Sequence, residues 1–128
     1  MRGKSVYNIF VMMNISSLDE LAHLLQTLGQ PARLQILLAI GEGETCVCHL
    51  ETALGLRQAY LSQHLMALRK AGVLMARRQG RYIHYRLAAP ALLEVVHQVA
   101  ALQGMDLPAL SPSPDCHCPN CQKMECHA

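Results

Sequence analysis

Six cysteines carry the most obvious chemistry in this 128-residue chain, and they fall into two groups: Cys46 with Cys48, and Cys116, Cys118, Cys121 and Cys126. Thiolates bind soft ions and thiols exchange electrons, so clustered cysteines read as a metal or redox site. Cysteine at about 5% of residues falls short of the roughly 8–10% of a disulfide-built secreted scaffold, and in a reducing compartment such thiols coordinate rather than cross-link. The later group follows a C-x-C-x₂-C-x₄-C pattern with His117 and His127 interspersed, and its C-x₂-C unit has metal-chelate spacing. Cys46-Val47-Cys48 falls at or just before the start of a predicted helix, where a thiol pKa drops toward the ligand form. Residues two apart on a regular helix point about 200° away from each other, so a shared ion requires the first turn to unwind. His23, His49 and His97 stand singly and are weak ligand candidates, His49 the better one because it follows Cys48.

Charge is the second signal. The chain carries a net charge of +2. Between Thr52 and Leu93 it has no Asp or Glu, yet Arg57, Arg69, Lys70, Arg77, Arg78, Arg81 and Arg86 all fall there. An acid-free basic segment is the footprint of a polyanion.

The elements that must position these residues follow from periodicity and punctuation. Leu18, Leu21, Leu24, Leu25 and Leu28 share one helical face, with Ser16 or Ser17 as cap and Asp19 and Glu20 in the first turn. Pro31 opens a helix over Ala32–Ile40 that Gly41 and Gly43 close. A short helix over Val47–Leu54, a turn at Gly55-Leu56-Arg57 and a helix over Gln58–Ala71 give the sequence form of a helix-turn-helix. With Leu61, Leu65 and Leu68 facing the core, Gln58, Tyr60, Ser62, Gln63 and His64 are left to face outward. The period then changes to two, and Val73–Arg78 and Arg81–Leu87 flank a hairpin turn at Gln79-Gly80. Ile83 and Tyr85 read as hairpin core, and Met66, Met75 and Met105 as gap-filling core. Pro90 opens a last helix over Ala91–Leu102, with Leu92, Val95, Val96 and Val99 on its apolar side.

Three segments result: an N-terminal extension over 1–15, a domain over 16–104, and a proline- and serine-containing linker with a Cys/His-rich tail over 105–128. Hydrophobic residues are 52% of the chain and charged ones 16%, enough for a core and too apolar for a disordered chain. The longest apolar runs fall far short of the roughly 20 residues of a membrane span. Met1–Met13 lacks the signature of a secretory signal peptide, which points to the cytoplasm. Met12 and Met13 leave open whether 1–11 belong to the natural start. With no nucleophile–base pair, phosphate-cradling loop or paired carboxylates, the pattern argues against an enzyme.

Taken together, Leu28-Gly29-Gln30-Pro31-Ala32-Arg33-Leu34, Cys46-Val47-Cys48-His49-Leu50, Ser62-Gln63-His64-Leu65 and Arg77 through Leu87 resemble the ArsR/SmtB family of bacterial metal-responsive repressors over about residues 18–103. The resemblance implies a mainly α (α+β) winged helix-turn-helix homodimer that holds double-stranded operator DNA and leaves it when an ion binds. It assigns Arg57, Gln58, Tyr60, Ser62, Gln63, His64 and Arg69 to the reading helix and its flanks, and Arg77, Arg78 and Arg81 to the wing. Family members often carry Thr-Val-Ser-Arg where this chain has Tyr60-Leu61-Ser62-Gln63. Relatives with Cys-Val-Cys sense trivalent arsenic or antimony, or cadmium, lead or zinc. Arsenite is the leading expectation here, with cadmium, lead or zinc next and a thiol redox or persulfide switch as the rival chemistry. The third cysteine of the arsenite type is replaced by Glu51, and residues 1–45 contain none of the cadmium type. The missing thiolate is therefore expected from Cys116, Cys118, Cys121 or Cys126, unless the tail holds a separate ion. The family's site on the last helix is reduced to Glu94 and His97, in reverse order, and is discounted.

Overall fold

The computed structural model describes residues 15–107, which form α1 (Ile15–Leu28), α2 (Pro31–Ile40), β1 (Glu44–Cys46), α3 (Val47–Leu54), α4 (Gln58–Lys70), β2 (Leu74–Gln79), β3 (Tyr82–Leu87) and α5 (Ala91–Leu102). The tail cysteines Cys116, Cys118, Cys121 and Cys126 and most of the N-terminal extension lie outside the described residues. Helix α1 already runs from Ile15, so Ser16 and Ser17 lie within it rather than capping it, and Asp19 and Glu20 fall beyond its first turn. Serine disfavours a helix interior only weakly, so a cap signal does not force a start.

Pro31 occupies the opening of α2 after an extended Gln30. Between α3 and α4, Gly55 adopts the left-handed conformation (φ 65°, ψ 27°) and its N–H donates to the Glu51 carbonyl at 2.9 Å. That geometry suits glycine and turns the chain in three residues. The expected stripe of α4 is buried: Leu61, Leu65 and Leu68 are at most 1% exposed and pack with Ile36, Leu37 and Leu50. Each such side chain contributes on the order of 1.5–3 kcal/mol of hydrophobic stabilisation.

The sheet is larger than a lone hairpin. β1 pairs antiparallel with β3, giving the strand order β1-β3-β2. The hairpin loop is Gly80-Arg81, one residue later than expected, because Gln79 pairs with Tyr82 and Gly80 takes the positive φ of 61°. Tyr85 is buried as expected. The three methionines are not core: Met66, Met75 and Met105 are 59%, 47% and 51% exposed. Helix α5 has two apolar sides. Leu92 and Val96 pack against the core cluster, while Val95, Val99 and Leu102 face outward, as do Leu21 and Leu25 of α1.

Candidate thiol site and nucleic-acid interface

Cys46 is both the last residue of β1 and the cap of α3, with extended backbone (φ −83°, ψ 160°). Its Sγ accepts the N–H of His49 at 3.3 Å, in the manner of a capping oxygen. Cys48 is already helical. The 200° separation applies only when both residues are in the helix, and here one is not. The two sulfurs accordingly stand 2.8 Å apart with the first turn intact, which corrects the expectation that they point away from each other. Cys46 is buried and Cys48 half-buried. His49 contributes its amide, and burial pushes its ring pKa down.

The strand that delivers Cys46 also ties it to the wing. In register, Cys46 lies opposite His84 of β3, and His84 opposite Arg77 of β2. His84 is fully buried, and its pKa is lowered first by burial and then by the nearby Arg77 charge, with Glu44 acting the other way. Arg77 forks onto Glu44 of β1, Nη2 to Oε1 at 2.6 Å and Nε to Oε2 at 3.0 Å. Arg77, itself half exposed, is thus paired with a carboxylate of β1 while remaining on the wing surface. The acid-free segment concealed this because Glu44 comes from outside it.

On the outward face of α4 and at its start, Arg57, Gln58, Tyr60, Ser62, Gln63 and Arg69 are exposed, and Arg77, Arg78 and Arg81 are exposed at the hairpin. Residues of these types hold phosphates and base edges. The Arg81 guanidinium lies 5.5 Å from the Tyr82 ring centroid. His64 is the exception. It is only 6% exposed, and its Nδ1 accepts from Arg33 Nε at 3.0 Å. Arg33 Nη1 in turn donates to the Thr27 carbonyl at 2.9 Å, so one guanidinium joins α1, α2 and α4. Burial, then the Arg33 charge, lowers the His64 pKa. Tyr60 meets the His64 ring edge-on at 4.5 Å. Sequence reasoning missed the roles of Arg33, Glu44 and His84. Helical phase could have placed His64, since 61, 64, 65 and 68 form a single inward stripe.

Thiols and reading helix meet at one cavity of about 420 Å³, whose lining includes Cys46, Cys48, Ser62, Arg69 and Arg81. Among the described residues no group of three or more His, Cys, Asp or Glu side chains is arranged to hold an ion. The sequence profile described as "Bacterial regulatory protein, arsR family" matches residues 30–75, from α2 into β2. The chain is 43% identical over 83 residues to the biofilm growth-associated repressor of Agrobacterium fabrum, a match spanning 62% of this chain and 71% of that protein.

The chain belongs to the ArsR family.

Other ArsR-family relatives agree. The arsenical resistance operon repressor of Escherichia coli is 47% identical over 66 residues, covering 51% of this chain and 56% of that one. The homodimeric winged helix-turn-helix DNA-binding domain Mb0332 of Mycobacterium bovis superposes with a TM-score of 0.61 at 32% identity, over 73% of this chain and 92% of that domain. This ArsR-family chain is a winged helix-turn-helix transcriptional repressor and not an enzyme. No helix among the described residues is long and apolar enough to cross a membrane.

Proposed function

We propose that the chain holds operator DNA as a homodimer in the cytoplasm and releases it when a thiophilic ion binds the Cys46 and Cys48 thiolates. The observation that carries this reading is the pair of sulfurs 2.8 Å apart on a cavity shared with α4. Two converging thiolates suit a soft ion. Arsenite is the favoured inducer, supported by the name of the Escherichia coli relative; cadmium, lead or zinc would act in the same way. The third donor comes from the tail, at Cys116, Cys118, Cys121 or Cys126. Exposed Leu21 and Leu25 of α1 and Val95, Val99 and Leu102 of α5 supply the apolar surface for the partner subunit. Arg57, Gln58, Tyr60, Ser62, Gln63, Arg69, Arg78 and Arg81 face the duplex.

An ion seated between the two sulfurs spreads them beyond their 2.8 Å separation and, held by a third donor, displaces the start of α3; the Gly55–Arg57 turn passes the displacement to α4. Release follows because the ion binds the DNA-incompetent arrangement more tightly. The test is a gel shift on the operator upstream of the chain's own operon under full reduction. Arsenite releases the parent protein, while Cys46→Ser/Cys48→Ser stays bound; equal release of both sinks the reading. The short sulfur separation also favours a second reading, oxidation of the pair to a disulfide with loss of two protons and two electrons to an oxidant. Release by oxidant alone, with no response to ions under reduction, identifies that case.

A further inference from the structure

A second cavity, of about 700 Å³, lies between α1, the start of α2 and the C-terminal end of α4, and neither cysteine lines it. Small-molecule sites typically enclose roughly 300–1,000 Å³. Its lining carries two cations, Arg33 and Lys70, and Glu20 is the one acid among the described lining residues. Arg33 is half-buried, and both acceptors it meets, the Thr27 carbonyl and His64 Nδ1, are uncharged. A guanidinium has five N–H donors, so three of those on Arg33 have no partner among the described residues. Neither Arg33 nor Lys70 forms an ion pair there. A cation drawn out of water without a counter-charge is unfavourable until an anion reaches it.

We propose that this cavity binds a small organic monocarboxylate with an apolar body. The carboxylate accepts from the spare N–H groups of Arg33 and from the Lys70 ammonium, as charge-assisted hydrogen bonds. Leu24, Ala67 and Ala71, which share the lining, cover the apolar body. Charge decides against a doubly charged phosphate. Lys70 ends α4, so the negative end of the helix dipole points into this region, and Glu20 adds a further negative charge. A singly charged carboxylate meets less of that repulsion. It also leaves the bonds from Arg33 to Thr27 and His64 in place, so an occupant binds α1 and α4 to each other more firmly. The site stands apart from the thiol-sensor reading and does not depend on it.

The test is a calorimetric titration of the reduced full-length chain with benzoate and with straight-chain carboxylates from acetate to octanoate. Hexan-1-ol and inorganic phosphate serve as controls. Affinity is expected to rise with chain length, and hexan-1-ol to bind roughly tenfold or more weakly than hexanoate, the loss that a missing charge-assisted bond produces. Lys70→Gln, at an exposed position, keeps the fold and weakens hexanoate several-fold. Arg33→Lys weakens it further; should that variant fail to fold, Lys70→Gln decides alone. Cys46→Ser/Cys48→Ser binds hexanoate as its parent does. The proposal is overturned if no carboxylate binds, if hexanoate and hexan-1-ol bind equally, or if Lys70→Gln leaves hexanoate affinity unchanged. Displacement of hexanoate by phosphate overturns the choice of ligand class, and loss of binding in the cysteine variant moves the ligand to the other cavity. Neither result bears on ion-driven operator release, which the gel shift tests separately.

Discussion

The cysteine junction and the wing meet on β3, yet they are held by different means. At the junction, Cys46 is 1% exposed, Leu50 behind it is fully buried, and the sulfur separation is fixed by a strand end running into a helix cap. At the wing, Arg78 and Arg81 are exposed, and Arg77 is restrained by the carboxylate of Glu44. An ion site needs donor distances set within a fraction of an ångström, which packing supplies. A duplex backbone needs reach and positive charge, which long solvated side chains supply. The difference teaches where substitutions will act: on stability at the junction, on salt-dependent affinity at the wing.

The largest effect expected is from Leu50→Ala. Emptying that fully buried position costs about 2–5 kcal/mol, measured by denaturant unfolding, and loosens the sulfur pair. A variant as stable as its parent would show that packing does not fix the junction.

A smaller effect comes from pH and touches both regions. His49, His64 and His84 all have lowered pKa values in the fold. The unfolded chain therefore takes up protons first, near pH 6.5. The contribution to stability is complete above that pH and is lost as pH falls through it toward the folded values. Denaturation midpoints should decline between pH 7 and pH 5, and replacing His84 with Gln should flatten the decline. A midpoint independent of pH would contradict the neutral state of the buried His64 and His84 rings and the half-buried His49.

The smallest change is expected from Glu44→Gln. It leaves stability nearly unchanged, because exposed ion pairs contribute little, and it frees Arg77 for phosphate. The slope of log affinity against log salt should steepen by about one. An unaltered slope would mean that Arg77 does not reach the duplex even when released.

Much of the domain was legible because its signals are local. Leucine spacing gave the α4 core stripe, glycine and proline gave the helix ends, and the change to period two gave the hairpin. β1 was not legible, since three residues carry no periodicity and their partners lie 38 to 42 positions downstream. Three things were hidden with it: the extended Cys46, the convergence of the sulfurs, and the pairing of Arg77 with Glu44. The methionines show residue type misleading where position decides. Met66 lies off the inward stripe of α4, and His64, a polar residue, lies on it.

The Arg33 link from Thr27 to His64 has a consequence for the operator. Because it fastens α1 to α4, the surface that would meet a second subunit and the helix that would enter the groove travel as one block. In a paired assembly, the span between two half-sites, typically about 34 Å for such motifs, is then fixed by how α1 and α5 seat against their counterparts. Retuning the promoter spacing that this chain tolerates would therefore mean changing leucines and valines far from the DNA.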